Sequence, residues 1–197
     1  MPQKTVTEKP FTEADLDAMR AEIAKIVAAG RCGEFLSRLF TNAGAGNDPA
    51  VHKNILDLFD AVRKQGGFVS ATLNSQGSSR GFSEAIGAVG SPGGAKVRLS
   101  STSDVYSPKL RISYHAYNAL SELTHVAGTQ VSNYAQGAFS DYNLAYEAHG
   151  LADKMGTEVQ NLNLTPPTGN PYNDSLGRWS DYYHGIVKLF CKRTERP

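Results

Sequence analysis

Apolar residues first fall into helical spacing at Leu16, Met19, Ile23, Ile26 and Val27, the rhythm that puts them on one face of a helix. Thr12, with Asp15 three places on, marks the N-terminus of that helix, and Gly30 marks its end. A short polar side chain caps free N–H groups there, and glycine accepts the left-handed turn that closes a helix. A short second helix is predicted over residues 34–40, and the Gly/Asn-rich stretch 42–48 reads as a loop. Val51, Ile55, Leu58, Phe59 and Val62 predict a third amphipathic helix, closed by Gly66 and Gly67. The pattern then changes. Phe68–Leu73 and Lys96–Ser100 read as strands, with turn-rich segments at 74–81 and 87–94. Residues 110–113 suit either a short third strand or the lead-in to a helix. Helical spacing returns over 114–127 and again over 140–155, where Leu144, Ala148, Leu151, Ala152 and Met155 share a face. After the Pro-rich connection 165–171, Asn173 is a candidate cap for a final helix with Leu176, Trp179, Tyr183, Ile186, Val187 and Phe190 inward. Helices, a small sheet, then helices predict an α+β fold.

With 197 residues, the chain is read as a flexible, polar N-terminus over residues 1–11 and one domain over 12–197, whose helical N-terminal part is 12–66. That length supports a core without disulfides. The formal net charge is only +1 and there is no basic stripe, so neither nucleic acid nor an anionic membrane is expected as partner. No apolar run is long enough to span a bilayer. The opening residues lack the apolar segment of a secretory signal. Three origins stay open: a cytosolic protein, a piece of a larger secreted protein, or export by a route that uses no such signal. Cys32 and Cys191 either form a bridge tying distant parts of the chain or are two separate buried thiols.

The segment that carries chemistry is Ser121-Glu122-Leu123-Thr124-His125. Hydrolysis by a single zinc needs three protein ligands, an open position for water, and a carboxylate that takes that water's proton. Residues i and i+4 of a helix share a face, so two histidines at that spacing grip one ion while a Glu at i+1 stands beside it. Here the base position and the second ligand position are filled, and the first ligand position holds serine. Alone, a Glu three places before a His is a chance-level signal, and a solvated helix face explains it equally well.

The flanks raise it. The run from Tyr114 through Leu120 and the Val126-Ala127-Gly128-Thr129 ending resemble the active-site helix of zincin metallopeptidases. The segment Gly137-Ala138-Phe139-Ser140-Asp141-Tyr142-Asn143-Leu144-Ala145-Tyr146 is similar to the one that carries the third ligand in aspzincins, the deuterolysin-type peptidases. The pairing also looks like peptidase domains at the C-termini of bacterial Rhs-type polymorphic proteins. The resemblance spans about residues 114–155. It implies a zincin-like α+β domain with N-terminal helices, a small mixed sheet, an active-site helix and C-terminal helices. It implies zinc as cofactor, a peptide or protein as substrate, Glu122 as general base, and His125 and Asp141 as ligands with Ser121 in the place of the first. The connection from His125 to Asp141 is longer than in the deuterolysin type, and Phe139-Ser140 stands where Gly-Thr is the pattern.

Each residue has an ordinary alternative. Asp141 in a first helical turn and His125 near a helix end are both favoured by the helix dipole without any metal. Glu147, His149 and Asp153 on the following helix are alternative ligands, and Tyr142 and Tyr146 are candidate oxyanion donors or plain packing residues. A neutral, short serine hydroxyl is a poor zinc ligand. The expectation is therefore a metallopeptidase-like domain with zinc weakly bound or absent and activity weak or lost. The rivals are a catalytically dead peptide- or protein-binding pseudoenzyme, and an effector or toxin domain of a larger secreted bacterial protein. His115 as a replacement ligand and a metal-free Ser121–His125 nucleophile pair are the remote alternatives.

Overall fold

Val6–Pro10 (β1), Phe68–Leu73 (β2), Glu84–Ile86 (β3) and Lys96–Ser100 (β4) form one four-stranded sheet in a computed structural model of the chain, in the spatial order β1-β2-β4-β3. The structure describes residues 6–42, 54–73, 83–87, 89, 92–129, 141–156 and 176–193. Within the elements, the side chains of residues 6, 40–42, 73, 128–129, 141–147 and 176–182 lie outside the described set. The two central strands, β2 and β4, are parallel, with Phe68 opposite Val97 and Ser70 opposite Leu99. β2 is buried on both faces from Phe68 to Ala71, whereas β4 alternates, with Val97 and Leu99 inward and Lys96 and Arg98 on the more exposed face. The edges β1 and β3 run antiparallel to β2 and β4 respectively.

The two central strands have the bounds their sequence predicts. The edges differ from expectation. Residues 1–11 read as a flexible, polar start, yet Val6–Pro10 is a strand, pairing from Val6 opposite Leu73 to Pro10 opposite Val69. Its central residue, Glu8, is held by charge rather than burial. Glu8 accepts from Lys96 Nζ at 2.9 Å and from Arg98 Nε at 2.6 Å, and Arg98 also donates to Glu84 at 2.9 Å. One arginine thus links both edge strands to β4, and these bonds lower the Glu8 pKa. Residues 1–5 lie outside the described residues.

Six helices complete the described fold: Glu13–Ala28 (α1), Cys32–Asn42 (α2), Ile55–Lys64 (α3), Pro108–Thr129 (α4), Asp141–Lys154 (α5) and Leu176–Phe190 (α6). Thr12 and Asp15 form the reciprocal cap expected at the start of α1: Thr12 Oγ1 accepts from the Asp15 amide at 3.1 Å, and Asp15 from the Thr12 amide at 3.4 Å. Residues 110–113, open between strand and helix, belong to α4, which begins at Pro108, where a missing N–H costs nothing. A 3-10 turn, Ser101–Val105, capped by Ser100, leads from β4 towards α4. The candidate cap Asn173 lies outside the described residues. No described helix is long and apolar enough to cross a membrane.

The chain forms two compact units, each assembled from distant stretches of sequence. The first comprises Met1–Ile26, Asn54–Val126 and Arg193–Pro197. It contains the sheet, α3, and most of α1 and α4. Its core includes Met19, Ile23, Phe59, Val62, Val97, Leu99, Leu120 and Leu123, all fully buried, and Phe59 stacks on Phe68 with ring centroids 4.5 Å apart. Arg20 holds Asp60 through two bonds of 2.7 and 2.8 Å. Arg63 reaches Asp17 at 2.7 Å and also Glu13, so α1 and α3 are also joined along their polar faces. The second unit comprises Val27–Lys53 and Ala127–Lys192. In it Phe35 stacks on Phe190 at 4.3 Å, and Cys32 and Cys191 form a disulfide. Of the two readings open for these cysteines, the structure takes the bridge.

Candidate functional site

Helix α4 is covered along most of its second half. Ala116, Ala119, Leu120, Leu123, Val126 and Ala127 are fully buried, and so is Thr124. The polar pair Ser121 and Glu122 shares that burial, at 2% and 8% exposure, and His125 is half-buried. Ser121 and His125, at i and i+4, share a helix face as the sequence spacing requires. Thr124 Oγ1 donates to the Ser121 carbonyl at 2.6 Å, which occupies the threonine hydroxyl within the helix. A glutamate excluded from solvent is uncommon unless it is partnered or functional.

The remaining sequence candidates belong to the second unit. Asp141 is the first residue of α5, and its side chain lies outside the described residues, as do those of Tyr142, Tyr146 and Glu147. His149 is half-buried and pairs with Asp153, Nε2 to Oδ2 at 3.3 Å, one turn further along α5. Among the described residues no group of three or more His, Cys, Asp or Glu is placed to hold a metal ion. The described donors at the zinc-ligand positions are one hydroxyl and one imidazole. By themselves they do not fit zinc, which takes three protein ligands in a catalytic site.

A second polar cluster, of which the sequence singled out only His115, sits along the first half of α4. His115 is fully buried, and its Nε2 lies 3.2 Å from Asp104 Oδ1. Ser70 Oγ donates to the other carboxylate oxygen, Oδ2, at 3.2 Å. Phe11 meets the imidazole edge-on, with ring centroids 5.0 Å apart. Burial is the largest influence on the His115 pKa and lowers it, and the Asp104 bond partly opposes this. The ring is therefore neutral near pH 7. Because the carboxylate can only accept, the proton sits on Nε2, and Nδ1 is left as an acceptor. That Nδ1 is buried and has no hydrogen-bond partner among the described residues.

The cluster lines a cavity of about 340 Å³ together with Phe11, Asp15, Arg111 and Ile112. His115 thus has a carboxylate partner of its own, away from the position of the missing zinc ligand. The sequence offered little to find this site: Ser70, Asp104 and His115 come from a strand, a turn and a helix, and no spacing rule joins them. The one usable sign was a histidine inside an otherwise apolar helix stretch. No family model, curated protein or solved structure matches this chain.

Proposed function

We propose that the chain is a zincin-type peptidase scaffold with an impaired metal site, built to engage a peptide or protein in extended form. The observation that carries this reading is the burial of Glu122 at 8% exposure. It occupies the base position of the motif on α4, beside a Ser121 that is equally withdrawn from water. A carboxyl group withdrawn from water is kept where it has a partner or a task, and the base position of the motif would supply the task. The sheet supports the same reading. β3 is an edge strand beside β4, with Ile86 44% exposed, and an edge offers unpaired backbone groups to an added peptide strand. Zinc held by a full ligand set would supply the polarisation of water and carbonyl, chemistry that the site with Ser121 in the first ligand position is not equipped to support. The residues of this chain would hold the proton at the Glu122 carboxylate and orient the helix face that carries His125.

Ser121 favours a second reading within the same scaffold, a pseudoenzyme that binds without cleaving. A neutral hydroxyl in place of an imidazole removes one strong ligand, and zinc affinity falls steeply with each ligand lost. A role as a released effector domain is compatible with either chemistry.

Replacement of Ser121 separates the readings. Ser121→His, loaded with zinc and checked for native circular dichroism, is expected to hold close to one zinc per chain and to cleave casein. Glu122→Gln added to it should abolish cleavage while zinc stays bound. A folded Ser121→His protein that neither binds zinc nor cleaves would remove the peptidase reading. Near-stoichiometric zinc in the unaltered protein, purified without chelators, would remove the impaired-site part of it.

A further inference from the structure

We propose that the second unit is redox-gated: it is closed while the Cys32–Cys191 bridge is formed, and it opens, with the first unit still folded, once the bridge is reduced. Ser121, Glu122 and His125 belong to the first unit, so the gate stands apart from the zinc reading.

The second unit is assembled from two stretches, Val27–Lys53 and Ala127–Lys192, with Asn54–Val126 of the first unit between them in sequence. The first stretch supplies one described helix, α2, and the second supplies α5 and α6. An isolated helix of 11 residues is unstable in water, so α2 persists only by packing. Its described buried side chains are Cys32, Phe35, Leu36 and Leu39. Phe35 stacks on Phe190, and Arg31 donates to the Met155 carbonyl at 2.8 Å. Cys32 and Cys191 are the only cysteines in the sequence, so their bridge is the one disulfide that can tie the two stretches.

Magnitude decides whether losing that tie matters. Closing a loop of 159 residues, or of half that length, tilts the balance towards the folded state by about a thousandfold or more. Small domains are folded by factors of roughly 10³ to 10⁸. The described part of the second unit is three helices, and its first stretch buries three apolar side chains besides the cysteine, which places it at the low end of that range. The first unit contains neither cysteine. Its sheet and its Arg20–Asp60, Arg63–Asp17 and Arg98–Glu8 pairs are untouched by reduction.

Access makes the gate two-state. Both cysteines are fully buried, so an external thiol reaches a sulfur only after the unit opens. The closed form therefore resists reduction, and the reduced form has lost the tie that favours reclosing. Disulfides persist in oxidising compartments and are kept reduced in the cytosol. The chain thus completes its fold on passing from a reducing to an oxidising environment.

Hydrogen exchange of the full chain, read by mass spectrometry in oxidised and in reduced glutathione buffers, tests the gate, with alkylation of free thiols reporting the state of the bridge. Complete reduction should speed exchange across α5 and α6 at least about tenfold and leave β2 and β4 unchanged. Cys32→Ala with Cys191→Ala should exchange like the reduced protein in both buffers, which separates the bridge from other effects of the reductant. The proposal is overturned if α5 and α6 change by less than tenfold, or if the double variant keeps the protection of the oxidised protein. It is equally overturned if β2 and β4 lose protection as well, or if the protein in oxidised buffer, once denatured, still offers two thiols to alkylation.

Discussion

Two unpaired polar atoms on one helix show how much a single residue can decide. The Tyr117 hydroxyl is buried without a partner among the described residues, and burial pushes its pKa up, so it is protonated near neutral pH. His115 is different, because burial shifts a proton equilibrium that in the unfolded chain lies close to neutral pH. Its pKa is lowered from 6.5 mainly by burial, with Asp104 and Asp15 opposing and Arg111 adding to the shift. A histidine held neutral in the folded state binds fewer protons there than in the unfolded chain. Its stabilisation is complete above the unfolded pKa and is lost as pH falls from there towards the folded value, by at most about 1.4 kcal/mol per pH unit. Urea midpoints compared at pH 7.5 and 5.5 should drop more in the unaltered protein than in His115→Gln, which can keep the N–H bond to Asp104 but cannot titrate. Equal drops would show that His115 does not carry the acid sensitivity. At this scale the sequence was half legible. Ser121, Glu122 and His125 could be named because a helix repeats in sequence. Asp104 and Ser70 could not, because they meet His115 only through the fold.

The elements that could be read in advance are those whose burial leaves a period in the sequence. Leu16, Met19, Ile23 and Ile26 gave α1 by spacing, and short runs of apolar and β-branched residues next to turn-rich segments gave β2 and β4. The edge strands β1 and β3 bury little and so leave no period. β1 is held by Glu8 bridging to Lys96 and Arg98 across the sheet, and no local pattern announces that. The link between α3 and β2 was legible as a glycine pair, but with the two roles not yet distinguished. Gly66 adopts φ +67 and closes the helix. Gly67 is needed for closeness: a Cβ there would press into the Ala95 carbonyl and come within 2.7 Å of Val62 Cγ1. The Gly67 carbonyl also accepts the Val97 amide at 2.7 Å, so the position registers α3 against the parallel pair. Gly67→Ala should destabilise the protein by about 1–3 kcal/mol, the usual range for overpacking into a fixed backbone, read as a fall in thermal midpoint. Gly30→Ala, where φ is +58 but nothing lies within 4 Å of the new Cβ, separates backbone strain from steric pressure. A Gly67→Ala loss no greater than that of Gly30→Ala would argue that the close approach is not what the site requires.

For the molecule as a whole, balanced charge and an ordinary apolar content fit an α+β protein with a full core, and they say nothing about which distant segments share a unit. The disulfide is the clearest case. Cys32 and Cys191 are 159 residues apart, and composition left a bridge and two buried thiols equally open. In the structure the bridge joins the start of α2 to the residue after α6, beside the Phe35–Phe190 stack. Restricting a loop of that length in the unfolded chain is worth about 5 kcal/mol by chain entropy. The closed loop includes Asn54–Val126 of the first unit. If that unit stays folded while the second opens, the free loop is roughly halved. Because the entropy grows only with the logarithm of length, this lowers the figure by about 0.6 kcal/mol. The expectation therefore hardly depends on whether the units unfold together. Trp179, the single tryptophan, lies in the second unit, so its fluorescence follows the part that the bridge restrains. Cys32→Ser with Cys191→Ser should move that transition to lower urea by an amount equivalent to about 3–5 kcal/mol. Dithiothreitol should move the unaltered protein in the same direction once the bridge is reduced and leave the double variant unchanged. Coincident transitions for the oxidised protein and the double variant would mean that the packing around Phe35 and Phe190, rather than the covalent link, holds these helices together.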